Sequence, residues 1–206
     1  MKKTVFSLAI ALIYAFTCWA QSNLTPDKIL NDAASKIGSQ KALEADFSFS
    51  ASGTTGRGQI KASGGKFFVK LPSSEVWFNG KALYTYNVNT NETTIVSPTP
   101  EEILQSNPLA YITGAPKNYN ATFSTVKKAD RYVLELTPKS KGQDINRITL
   151  TLKKKDLLPE KIVVEPKSGS PVSSEIVSIK FLNSLPQSVF EYQKARHPKA
   201  DIIDLR

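Results

Sequence analysis

One cysteine, one histidine and one methionine in 206 residues remove several kinds of chemistry before any pattern is sought. The lone cysteine, Cys18, excludes a disulfide scaffold and a zinc finger. The lone histidine, His197, leaves carboxylates as the main candidate metal ligands. Glycine and proline, 10 and 12 residues, are too few and too aperiodic for a collagen or low-complexity chain. Hydrophobic residues at 40% exclude intrinsic disorder, and the longest apolar run is shorter than the ~20 residues a membrane-spanning helix needs. What remains suffices for one core, because domains commonly run to roughly 100–200 residues.

The N-terminus is set apart from that core. Lys2 and Lys3 precede an apolar run over residues 5–16 and then Cys18-Trp19-Ala20, the pattern of a secretory signal peptide cleaved after Ala20. The expected organisation is a signal peptide over 1–20 and one domain over 21–206, exported and free of cysteine. Lipidation of Cys18 is disfavoured by bulky Phe16, where a small or aliphatic residue would be required. Lys2 and Lys3 carry two of the nine net positive charges, and export argues against nucleic acid as the partner of the rest. The densest cluster, Lys153-Lys154-Lys155, precedes Asp156 and Pro159 and reads as a solvated turn.

Thr25-Pro26-Asp27 is a helix start, with Thr25 as N-cap and proline in the first turn. Ile29, Leu30, Ala33, Ala34 and Ile37 follow at helical spacing. From Ala45 the period falls to two, Phe47, Phe49 and Ala51 alternating with Ser48, Ser50 and Ser52, as on a half-buried strand. Strands are expected near 45–52, 56–62, 66–70, 74–79, 82–88 and 92–97, with Asn79-Gly80 as a type I′ hairpin turn. Thr99-Pro100-Glu101-Glu102 starts a second helix, which Asn107-Pro108 ends or kinks. Strands resume near 121–126, 130–137, 146–152, 160–165 and 173–180. Eleven strands without alternating β-α-β units point to a mostly β (α+β) chain. Its single antiparallel sheet is strongly curled, and its apolar face is covered by the helices.

No catalytic constellation emerges. His197 has no cysteine to activate, there is no Gly-x-Ser-x-Gly elbow, and Glu101-Glu102 is explained by favourable charge at a helix N-terminus. Gly56-Arg57-Gly58 and Gly64-Gly65 read as turns or bulges, and the three Asn-x-Ser/Thr matches at Asn23, Asn91 and Asn120 are of a kind that chance often produces. The chain is expected to be no enzyme and to need no cofactor or metal. Aromatic and aliphatic residues crowd the strands between Phe47 and Tyr86, and two explanations stay open: a filled core, or a concave wall around a cavity for an apolar ligand.

The order and spacing of several segments resemble the periplasmic lipoprotein carrier family LolA. They are Phe47-Ser48-Phe49, Gly56-Arg57-Gly58-Gln59-Ile60, Val76-Trp77-Phe78-Asn79-Gly80-Lys81-Ala82-Leu83-Tyr84, Ser106-Asn107-Pro108-Leu109, Leu136-Thr137-Pro138-Lys139 and Leu157-Leu158-Pro159-Glu160. The resemblance, closest to Bacteroidetes-type members, covers essentially the whole expected mature chain, tail included. It implies an incomplete eleven-stranded β-barrel closed by helices over a hydrophobic cavity. It also implies a monomeric carrier that takes acylated lipoproteins from an inner-membrane ABC transporter to an outer-membrane receptor or membrane. Cavity candidates on the first half of the sheet are Phe47, Phe49, Ile60, Phe67, Val69, Val76, Phe78 and Leu83. Those on the helices are Leu104, Leu109 and Ile112, and on the second half Leu134, Leu136, Leu150 and Ile162. Proteobacterial carriers have an arginine in the region matching 62–68, implicated in lid closure and transfer. Here stands Ser63-Gly64-Gly65-Lys66, and Lys66 lacks the planar guanidinium fork, so no release residue is carried over. The alternative is a LolA-like lipid-binding or sensor module with another apolar ligand or a membrane-bound signalling partner.

Burying an acyl chain yields about 0.8 kcal/mol per methylene, so one chain of ordinary length gives on the order of 10 kcal/mol gross. A carrier has to offset part of this by imperfect fit, ordering entropy or a lid. The helices starting at Thr25 and Thr99 are the expected lid.

Overall fold

A computed structural model describes residues 24–206, so the expected signal peptide lies outside the described residues. Helix α1 (Pro26–Gly38) begins as its sequence dictates: Thr25 Oγ1 accepts from the Lys28 N–H at 3.2 Å, Pro26 opens the first turn and Asp27 lies in it. Its stripe of Ile29, Leu30, Ala33, Ala34 and Ile37 is buried.

Six antiparallel strands follow: β1 (Ala42–Ala51), β2 (Thr54–Ser63), β3 (Lys66–Lys70), β4 (Ser74–Phe78), β5 (Leu83–Asn87) and β6 (Glu92–Val96). Helices α2 (Pro100–Ser106) and α3 (Ala110–Asn118) interrupt the sheet before β7 (Tyr119–Phe123), β8 (Arg131–Pro138), β9 (Ile145–Lys153), β10 (Pro159–Pro166) and β11 (Val172–Leu182). The tail adds β12 (Asp201–Asp204), which pairs with β6 in parallel. The twelve strands form one sheet in the order β12-β6-β5-β4-β3-β2-β1-β11-β10-β9-β8-β7, whose two outermost members do not pair. This is the expected curled, unclosed barrel with one strand more than expected. The two halves join where β11 returns beside β1. There the register slips between Asp46 and Phe47, leaving Val177 bulged and 68% exposed. A bulge of this kind bends and further twists the sheet.

Two local expectations need correction. Gly56 and Gly58 lie within β2, paired with Phe49 and Phe47, and not in a turn. At Asn79-Gly80 only Gly80 takes a positive φ, 95°. The Asn79 carboxamide instead accepts from the N–H groups of Lys81 and Ala82, both at 3.0 Å, so the turn is built on a side-chain bond rather than on two left-handed residues.

Inward and outward residues alternate as the strand period requires. The concave face and the helices share the main core, while the outer face of β8–β11 carries cross-strand ion pairs such as Arg147–Glu165 at 3.0 Å and Lys161–Glu175 at 2.7 Å. The outer face of β3–β6 has its own apolar cluster. Phe68 and Trp77 are covered by Phe190 and Tyr192 of the segment leading to β12, and Tyr192 stacks on Tyr84 with ring centroids 5.6 Å apart.

Candidate apolar cavity

The helices lie over the concave face without filling it. Between the α2–α3 joint and the ends of β9, β10 and β11 lies a cavity of about 390 Å³, inside the roughly 300–1,000 Å³ range of small-ligand sites. Its floor comes from Phe47 and Phe49 of β1, Val69 of β3, and Ile162 and Val164 of β10, with Tyr111 of α3 above. Leu71, Ile145 and Val172 extend the apolar wall, and Gln105, Ser106, Asp144 and Ser174 are its polar members. Gln105 and Asp144 are exposed, whereas Phe47, Val69, Ile162 and Ser174 are buried, so the amide and carboxylate stand at the mouth and the floor is apolar but for one hydroxyl.

Of the residues expected on the inner wall, Phe47, Phe49, Val69 and Ile162 line this cavity. Leu104 borders a cavity of about 70 Å³ beside Tyr119, and Phe67 and Leu109 border one of about 320 Å³ between α1, α2, α3 and β2–β3. Ile60, Val76, Phe78, Leu83, Ile112, Leu134, Leu136 and Leu150 are buried in the core around these spaces. Tyr111, Leu71, Ile145, Val164 and Val172 line the cavity of about 390 Å³ as well and are not among the expected residues: Tyr111 sits beyond the proline break, Leu71 just past the end of a short strand, and the other three on the second half of the sheet.

The joint between the two short helices is held by one polar side chain. Asn107 is buried, and its carboxamide oxygen accepts from the N–H groups of Leu109 at 2.9 Å and Ala110 at 3.3 Å. Thr99 and Glu102 form a capping box at the start of α2. Yet α2 buries no residue completely; Ile103 and Leu104 are only partly covered, and Leu104 rests on Gly114 of α3. Burial pushes the Tyr111 phenol up to about 12, with Tyr119 adding to the effect. Burial raises Tyr119 too, followed by the nearby charge of Glu101.

The polar residues singled out in the sequence lie elsewhere. His197 Nε2 is 3.1 Å from Glu75 Oε2 on the outer face, where the imidazole stacks on Tyr86. Lys66 donates to Gln187 at 2.7 Å, and the Asn91 amide donates to the Lys199 carbonyl at 2.8 Å. Among the described residues no group of three or more His, Cys, Asp or Glu side chains gathers in a metal-binding arrangement.

Residues 16–167 match the family described as outer membrane lipoprotein carrier protein LolA. The chain belongs to this family. Among solved structures, an uncharacterized conserved protein from Thermus thermophilus shares the fold of this LolA-family chain, with a TM-score of 0.57 at 15% identity over 86% of this chain and 97% of that one. A LolA superfamily protein from Nitrosomonas europaea (TM-score 0.44, 16% identity, 82% and 98% covered) shows a weaker likeness. So does an outer membrane lipoprotein-sorting protein domain from Vibrio parahaemolyticus (0.46, 12%, 82% and 98%). No curated protein matches the sequence.

Proposed function

We propose that this protein is an exported carrier that holds the acyl chains of lipoproteins in the cavity under its curled sheet and moves them through the periplasm between the inner and outer membranes. The observation that carries the reading is the space of about 390 Å³ left between sheet and helices, apolar on its floor but for the Ser174 hydroxyl, with Gln105 and Asp144 exposed beside it. Such a site suits a ligand with a greasy tail and a hydrated head, and it binds without making or breaking a bond. Membership of the LolA family supports lipoprotein as the cargo, an inner-membrane ABC transporter as its source and an outer-membrane receptor or the membrane itself as its destination. The pattern of residues 1–20 supports export, and 21–206 is the carrier domain.

The lid is assigned to α2 rather than to α1. Helix α1 sinks five residues into the core, at roughly 1.5–3 kcal/mol for each fully buried large aliphatic, and Asp27 accepts from the Ala121 N–H of β7 at 3.3 Å. Helix α2 has no comparable anchor. Mass spectrometry of the protein taken from its own periplasm tests the reading: acylated lipoprotein should co-purify, and Ile162→Glu, which puts a charge on the cavity floor, should abolish it. Recovery of an unacylated lipid from both proteins would refute the lipoprotein assignment and favour a lipid-sensing module.

A further inference from the structure

Across the β1–β2 ladder Phe47 stands opposite Gly58 and Phe49 opposite Gly56, all on the concave side. Neither glycine has a positive φ, so backbone conformation does not demand them. Space does. A Cβ on Gly58 would lie 2.4 Å from Phe47 Cζ and 2.8 Å from Leu71 Cδ2, and one on Gly56 2.7 Å from Phe49 Cζ. These separations are far inside the ~3.5–4.0 Å of ordinary carbon contact. Both rings therefore lie over the bare backbone of β2, an arrangement that compensates the weak packing of glycine in a strand.

The other side of Phe49 explains the cavity. In register it meets Ser174 of β11, which in turn meets Ile162 of β10, and both of these line the cavity. Phe49 thus has a small residue on either hand, and its ring leans toward the smaller. The ring over Gly56 does not fill the space that Ser174 lines.

We propose that Gly56 and Gly58 set the length of acyl chain the cavity accepts, by letting Phe49 and Phe47 lie against β2; this rests on the carrier reading. The atoms a new Cβ would strike are the far edges of rings and a leucine methyl, not backbone. Phe47 and Phe49 both line the apolar cavity, whereas the other space beside Phe49 and Gly56 has Arg57, Lys161 and Glu175 in its lining, so the cavity is the apolar room a displaced ring would enter. Alanine at either position relocates an aromatic ring into the ligand's path while β2 keeps its pairing.

Calorimetric titration of the mature protein with one short lipopeptide bearing either hexadecanoyl or octanoyl chains tests this. Gly58→Ala is expected to weaken the hexadecanoyl form about tenfold, as when roughly two methylenes lose their place, and to leave the octanoyl form within about twofold. Adding Phe47→Leu to Gly58→Ala should restore the longer chain. Equal loss for both lengths, or no rescue, would overturn the proposal. Should Gly58→Ala not fold, Phe47→Ala with both glycines in place decides it. The preference then moves toward longer chains, and an unchanged preference counts against the glycines. An unmutated protein that binds neither lipopeptide defeats the carrier reading, and this inference with it.

Discussion

Asn107 shows how a single side chain sets the behaviour of this region. Its side-chain oxygen accepts from the Leu109 N–H and shares the Ala110 N–H with its own backbone carbonyl at 3.0 Å, so Asn107→Ala takes away the acceptor of the Leu109 donor. A loss of about 1 kcal/mol, typical of a removed helix cap, is expected in urea unfolding, together with faster release of a bound acyl probe. Tyr111 yields a prediction in alkali. Its phenol is raised from 10.0 to about 12, so the folded state holds the proton more tightly than the unfolded chain. The corresponding stability is complete below pH 10 and fades as pH climbs toward 12, which phenolate absorbance read alongside circular dichroism will show as late ionisation coinciding with loosening of the fold. At this scale the sequence was only half legible. The inward placement of Phe47 and Phe49 follows from period-two alternation. The part played by Gly56 and Gly58 does not, because a glycine between polar neighbours looks alike in a turn and beneath an aromatic ring of the next strand.

Secondary-structure elements were the most readable level, and their differences in anchorage have a kinetic corollary. Thr25, Pro26 and the apolar stripe announce α1, and Thr99 and Pro100 announce α2, because capping chemistry is local. Whether the tail joins the sheet is not legible in the sequence, for the opposite reason. Asp201-Ile202-Ile203-Asp204 has no alternation, and what fixes it is pairing with Glu92, Thr93, Thr94 and Ile95 far back in the chain. Where α1 is sunk into the core, α2 rests on it, so amide hydrogen exchange should be markedly faster in 100–106 than in 29–37. A disulfide tying α2 to β9 should slow uptake and release of the acyl probe while leaving the exchange of α1 unchanged. Unaltered release would remove α2 from the role of lid.

At the scale of the whole molecule the chain uses both faces of one sheet. Inside lies the cavity. Outside, the tail crosses β3–β6 and shuts Trp77 away completely, at 0% exposure, under Phe190 and Tyr192. Removing the Phe190 ring should cost about 3–5 kcal/mol and shift Trp77 fluorescence to the red, since Phe190 is itself buried in this cluster. The sequence disclosed the aromatic wealth of these strands without saying which rings face which side of the sheet with the tail in place. That division depends on the path of residues 183–200, which have no regular period.

The unpaired margins of the sheet set a limit of another sort. In a sealed barrel, strand number and stagger together dictate the diameter. Here β7 and β12 share no ladder, so the girth of the vessel is not locked by hydrogen bonding. Within the sheet the two halves meet only at the β1–β11 ladder, so a change in their separation would break no strand pair.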